Sequence, residues 1–131
     1  MTISTSERED LIRAEALRLG FDLCRFTDID EAWPAATRLA EFIAAGRHGE
    51  MGWMAETAER RKHPRAMWDG ARSAVVLGVN YGPDRDPLEI LGARDRGAIS
   101  VYAQGKDYHD VIKSRLKTLA RWIVAALGGE L

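Results

Sequence analysis

"SAVVLGVNY", residues 73–81, is the stretch on which the fold turns. Valine and leucine crowd it and no charge interrupts it, while "YGPDRDP" (81–87) closes it with glycine, proline and aspartate. That pattern predicts a β-strand ending in a turn. Apolar residues stand on consecutive positions and not on alternate ones, so the strand is expected to be central and buried on both faces.

The segments on either side supply what such a strand would pack against. Upstream, Leu11, Ile12, Ala16 and Leu19 recur at helical spacing between Ser6, a candidate N-cap, and Gly20, a candidate left-handed stop. "FDLCRF" (21–26) alternates as a short strand does, and Pro34 opens a second helix carrying Leu39, Phe42 and Ile43 and ending at Gly46. "HGEMGWMAETAERRKHPRAMW" (48–68) reads as a turn, one short helix and a break before Pro64, irregular for the most part.

Downstream, after a loop through Gly92 and Gly97, "AISVYA" (98–103) is expected to be a third strand. From Asp107, the residues Val111, Ile112, Leu116, Leu119, Ile123 and Leu127 line one side of a long helix that stops at Gly128-Gly129. Helices alternating with apolar strands make an α/β fold, mixed α+β in detail. It is expected as one layered domain over residues 1–131, with a small central sheet flanked by helices and a long C-terminal helix. The closing "GGEL" (128–131) would ordinarily turn an α/β chain into another strand, so the chain is expected to be truncated.

A length of 131 residues allows one modest core. Apolar residues at 46% and charged residues at 30% are those of a folded globular chain and argue against disorder. With 19 basic against 20 acidic side chains, any affinity for nucleic acid must come from local clustering. The single cysteine, Cys24, cannot form an internal disulfide and fits a buried thiol in a reducing compartment. No apolar run approaches the roughly 20 residues of a membrane span. The polar, acidic N-terminus lacks the order of a secretion signal, so the cytoplasm is expected.

The densest cationic cluster is "RRKHPR" (60–65), in which Arg60, Arg61, Lys62, His63 and Arg65 surround a proline. Forked guanidinium donors suit phosphates, carboxylates and amides, although such a run also suits a solvated helix end. His48, His63 and His109 lie too far apart for a local metal motif. Asp107 is expected to cap the last helix by accepting from an N–H near His109 or Asp110. Tyr102 stands where a strand would end in a glycine loop, the position from which α/β sheets present side chains to ligands. Trp53 and Trp68 flank the basic cluster as possible walls for a planar molecule, whereas Trp33 and Trp122 are expected to pack. No glycine-rich dinucleotide motif, P-loop or nucleophile elbow is present.

"HGEMGWM" (48–54), "RRKHPRAMWDGARSAVVLGVNY" (60–81) and "ISVYAQGKDYHDVIKSRLKTLARWI" (99–123) together resemble the N-terminal region of epoxyqueuosine reductase. The resemblance implies an enzyme that removes the epoxide oxygen of epoxyqueuosine at the tRNA wobble position. It also implies cobalamin, two 4Fe-4S clusters, an external electron donor, a monomeric full-length enzyme and no membrane. Two positions match the family's cobalamin contacts: Arg61, and Tyr102 before the D-Y-H turn. Two clusters require eight thiolates, and the resemblance implies that the cluster cysteines and the proton-donating aspartate lie beyond residue 131. No catalytic residue and no metal ligand is therefore expected within this chain, which alone should be inactive. The alternatives are a noncatalytic corrinoid- or tRNA-binding module and a relative of the reductive dehalogenases.

Overall fold

The computed structural model describes residues 3–30 and 34–128; Trp33 and Gly129 lie outside the described residues. Helix α1 spans Thr5–Arg18 and is capped by Ser4, not by Ser6. The Ser4 backbone N–H donates to the Glu7 carboxylate at 2.8 Å, and the Glu7 N–H returns a bond to Ser4 Oγ at 3.2 Å. Ser6 and Glu9 offer the same spacing, but starting at Ser4 lengthens the helix and adds the bond from Arg8 N–H to Ser4 O at 3.0 Å. Gly20, at φ +90°, supplies the expected left-handed stop.

Strand β1 follows at Leu23–Asp28 and strand β2 at Ser73–Gly78, and they form a two-stranded sheet. The start of β1 lies beside the end of β2, since Asp22 N–H donates to Gly78 O at 2.9 Å, so the pairing is antiparallel. Between the strands come α2 (Pro34–Ala44), α3 (Gly52–Glu56), α4 (Ala58–Arg61) and α5 (Pro64–Met67). After β2, two 3-10 turns at Glu89–Gly92 and Val101–Ala103 precede α6, Tyr108–Leu127.

The mixed α/β class, the small sheet with its helices and the long C-terminal helix all match the sequence reading. Besides the cap at Ser6, three local expectations do not hold. β2 pairs with β1 alone among the described residues, and its side chains are half-buried or exposed, with Val76 at 48%. A strand in a two-stranded ribbon keeps a free edge and incomplete cover, whatever its composition.

The second correction concerns "AISVYA", which is not a strand. Ala103 N–H bonds Ser100 O at 2.9 Å, Gln104 N–H bonds Val101 O at 3.1 Å, and the Gln104 side-chain amide donates to Ile99 O at 2.7 Å. These local bonds take the carbonyls that a sheet ladder would use. Third, the 48–68 segment is more helical than expected, because the break at His63, extended at φ −161°, separates α4 from α5 without ending helical structure. Pro64 then occupies the first turn, where its missing N–H costs nothing.

The chain contains two compact units. One comprises residues 1–25 and 76–131, with α1 packed on α6 and with Ala16, Phe21, Cys24 and Leu119 buried. The other comprises Phe26–Val75, in which α4 packs against α2, α3 and α5 and the buried apolar side chains are Ile29 and Ala71.

Candidate functional site

The basic segment lies in the 26–75 unit, where α3, α4 and α5 distribute its cations among distinct tasks. His63 Nε2 stands 2.9 Å from Ile29 O, and its Nδ1 accepts from Arg65 N–H at 3.1 Å. A carbonyl only accepts, so Nε2 carries the hydrogen and Nδ1 is left to cap α5. Arg65 pairs with the Asp30 carboxylate and donates from Nε to Ala71 O at 3.2 Å. Lys62 pairs with Glu59 one turn away. His63, Arg65 and Lys62 are thus held by the fold itself.

Arg61 differs. Its Nε donates to Thr57 Oγ1 at 2.7 Å, and its guanidinium carbon lies 4.7 Å from the centroid of the Trp53 ring. Such a cation over an indole face is favourable and is held without a carboxylate. Trp53 and Arg61 are both exposed, so the guanidinium is presented outward. Of the two tryptophans flanking the cluster, Trp53 is the one that meets Arg61.

Tyr102 lies in the other unit, in the 3-10 turn at Val101–Ala103 and not at a strand end. It is 58% exposed. Its ring meets that of Tyr108 edge-on, centroids 6.3 Å apart, and Tyr108 stacks on His109 at 4.1 Å. Asp107 fixes this group by accepting from the His109 backbone N–H at 2.9 Å and from its ring Nδ1 at 2.8 Å. Those two bonds hold the Asp107 carboxyl below its usual range, the backbone bond more strongly. The cap was legible from sequence, whereas the ring contacts above it were not.

A cavity of about 610 Å³ opens beside Tyr102. Val79, Val101, Val111 and Ile112 give it an apolar floor, while Tyr81, Tyr102, Gln104, Lys106, Tyr108 and Arg115 supply polar groups. Arg115 is positioned by a bond from Nη1 to Gly20 O at 2.8 Å. Helical spacing places Val111, Ile112 and Arg115 on one face of α6, but only the fold brings Val79 and Tyr81 to the same cavity. Carboxylates are absent from the lining, so the cavity favours neutral acceptors and anions.

The remaining candidates do not assemble. Among the described residues no group of three or more histidine, cysteine or acidic side chains stands close enough to hold a metal. Cys24 is buried, and burial pushes its thiol up from the usual range against the pull of Arg13 and Arg25. His48 carries a buried Nδ1 with no hydrogen-bond partner among the described residues.

Residues 61–131 match the family described as epoxyqueuosine reductase QueG, DUF1730. The chain is 40% identical over 117 residues to the epoxyqueuosine reductase of Leadbetterella byssophila, covering 89% of this chain and 37% of that protein. It is 37% identical over 127 residues to the enzyme of the same name from Cellulophaga algicola, covering 96% and 40%. With the one from Xanthomonas campestris the identity is 33%, covering 89% and 33%. The chain therefore spans about two fifths of the length of these curated relatives, or less. No solved structure matches it significantly.

Proposed function

The chain belongs to the epoxyqueuosine reductase family, and from that premise we propose that it forms the N-terminal, cobalamin-facing part of an enzyme reducing epoxyqueuosine to queuosine in tRNA. The cavity beside Tyr102 is the observation that most supports this reading. Its apolar floor suits the body of a macrocycle, and its phenols, amide and ammonium suit carboxamide arms. A cavity of about 610 Å³ would take part of a corrinoid.

The two implied cofactors fare differently against these residues. Cobalamin is compatible with the cavity, where Tyr102, with Tyr81, Gln104 and Lys106, would hold it; Arg61, by its own contacts, offers a forked donor suited to the amides and phosphate of such a ligand. When bound, cobalamin supplies the strongly reducing centre that the epoxide requires. The 4Fe-4S clusters do not fit here, because Cys24 is the chain's one cysteine and is buried. The tRNA bearing epoxyqueuosine is the partner, and no described helix is long and apolar enough to cross a membrane.

The test is a titration of the chain with cyanocobalamin, followed by corrin absorbance. Wild type should perturb the spectrum, and Arg61→Ala should bind about tenfold more weakly, the value of one charge-assisted bond. Equal affinity of the two proteins would remove Arg61 from the site, and an unperturbed spectrum in both would reject the pocket.

A further inference from the structure

The contacts that hold Arg61 run through a residue whose identity no sequence pattern marks. Trp53, Thr57 and Arg61 recur every four positions across the junction of α3 and α4, which places them on one face. The Thr57 hydroxyl donates to Trp53 O at 2.6 Å, which uses its only hydrogen. Its lone pairs then face the other way, and Arg61 Nε donates to one of them at 2.7 Å. That bond helps to hold the guanidinium carbon 4.7 Å from the Trp53 ring centroid.

A guanidinium carries five N–H donors, so one is spent on Thr57 and four remain on the two Nη groups. No described side chain accepts from those four, while Lys62 and Arg65 in the same cluster are each committed to a carboxylate. Arg61 is therefore a prearranged fork whose Nη hydrogens meet no acceptor among the described side chains.

We propose that Thr57 is a positioning residue: it sets the Arg61 guanidinium for an oxygen-bearing ligand, either a carboxamide or a phosphate of the corrinoid. The proposal rests on the reading of Arg61 as a corrinoid contact. Without the hydroxyl the arginine samples its rotamers, and ordering it on binding weakens affinity by about two- to tenfold.

The experiment compares wild type with Thr57→Val, Thr57→Ser and Arg61→Ala, using cyanocobalamin affinity and the 1H–15N resonance of Arg61 Nε in the ligand-free chain. Thr57→Val should lose affinity by that factor, and the Nε–H signal should exchange faster and lose its ring-current shift. Thr57→Ser, which keeps the hydroxyl, should restore both, an outcome that general damage to the helix would not give. If Arg61→Ala weakens binding and Thr57→Val does not, the positioning role is overturned while the Arg61 contact stands. An unchanged Nε–H resonance in Thr57→Val overturns it as well. If Arg61→Ala binds like wild type, both the contact and the positioning role fall.

Discussion

Replacing Gly20 by alanine tests how the 1–25 and 76–131 unit holds its cavity. Gly20 sits at φ +90°, where an L-residue pays about 1–2 kcal/mol in backbone strain. A Cβ built there lies 3.2 Å from Arg115 Cζ and 3.3 Å from both Nη atoms. The guanidinium cannot simply step aside, because its Nη1 bonds Gly20 O at 2.8 Å. Displacing it forfeits that bond, about 1 kcal/mol more. Gly20→Ala should therefore destabilise by about 2–3 kcal/mol, a fall in Tm of roughly 6–15 °C for a chain of this size. Urea unfolding followed by circular dichroism measures it. In an Arg115→Ala background the same substitution should cost the backbone part alone, leaving a coupling of about 1 kcal/mol. A Gly20→Ala protein within about 0.5 kcal/mol of wild type, or an absence of coupling, would refute the argument.

Two further predictions follow from titratable groups. Cys24, 2% exposed and with its thiol pushed up by burial, should react with a thiol reagent at neutral pH far more slowly than the urea-unfolded chain does. Because its folded pKa is raised, its contribution to stability is complete below the unfolded value and is lost as pH rises past it; Cys24→Ala should flatten that alkaline decline, as read by urea midpoints against pH. Asp107 has the opposite sign. Its folded pKa is lowered by the His109 bonds, so its stabilisation is present above the unfolded value and is lost as pH falls through the folded one. Asp107→Asn should make α6 less sensitive to acid, checked by helical ellipticity across an acid titration.

Local chemistry made some elements readable and left others hidden. α6 and its cap were legible because a periodic stripe, an aspartate and a terminal glycine each act within a few residues. The pairing of β1 with β2 joins positions some fifty residues apart, and nothing in "SAVVLGVNY" states how many neighbours the strand will have. "AISVYA" misled for a related reason: a short apolar run has no period of its own, and the Gln104 amide decided its backbone bonding. Arg61 and Tyr102 could be singled out, yet not what surrounds them. Thr57 is an ordinary threonine in sequence, and the cavity draws its lining from positions 79 to 115, which no motif links.

Arg65 carries a lesson for reading natural variation in this segment. It grips a carboxylate and a backbone carbonyl at once, and a lysine, with one ammonium on a flexible stem, cannot reproduce that two-point geometry. A change from arginine to lysine at position 65 should thus register as a loss of folded protein. The same change at position 61 keeps the charge but removes the Nε bond to Thr57 and the fork that faces outward. Two arginines four residues apart in one charged run are thus anchored by different chemistry, one by a carboxylate and a carbonyl, the other by a hydroxyl and an indole face.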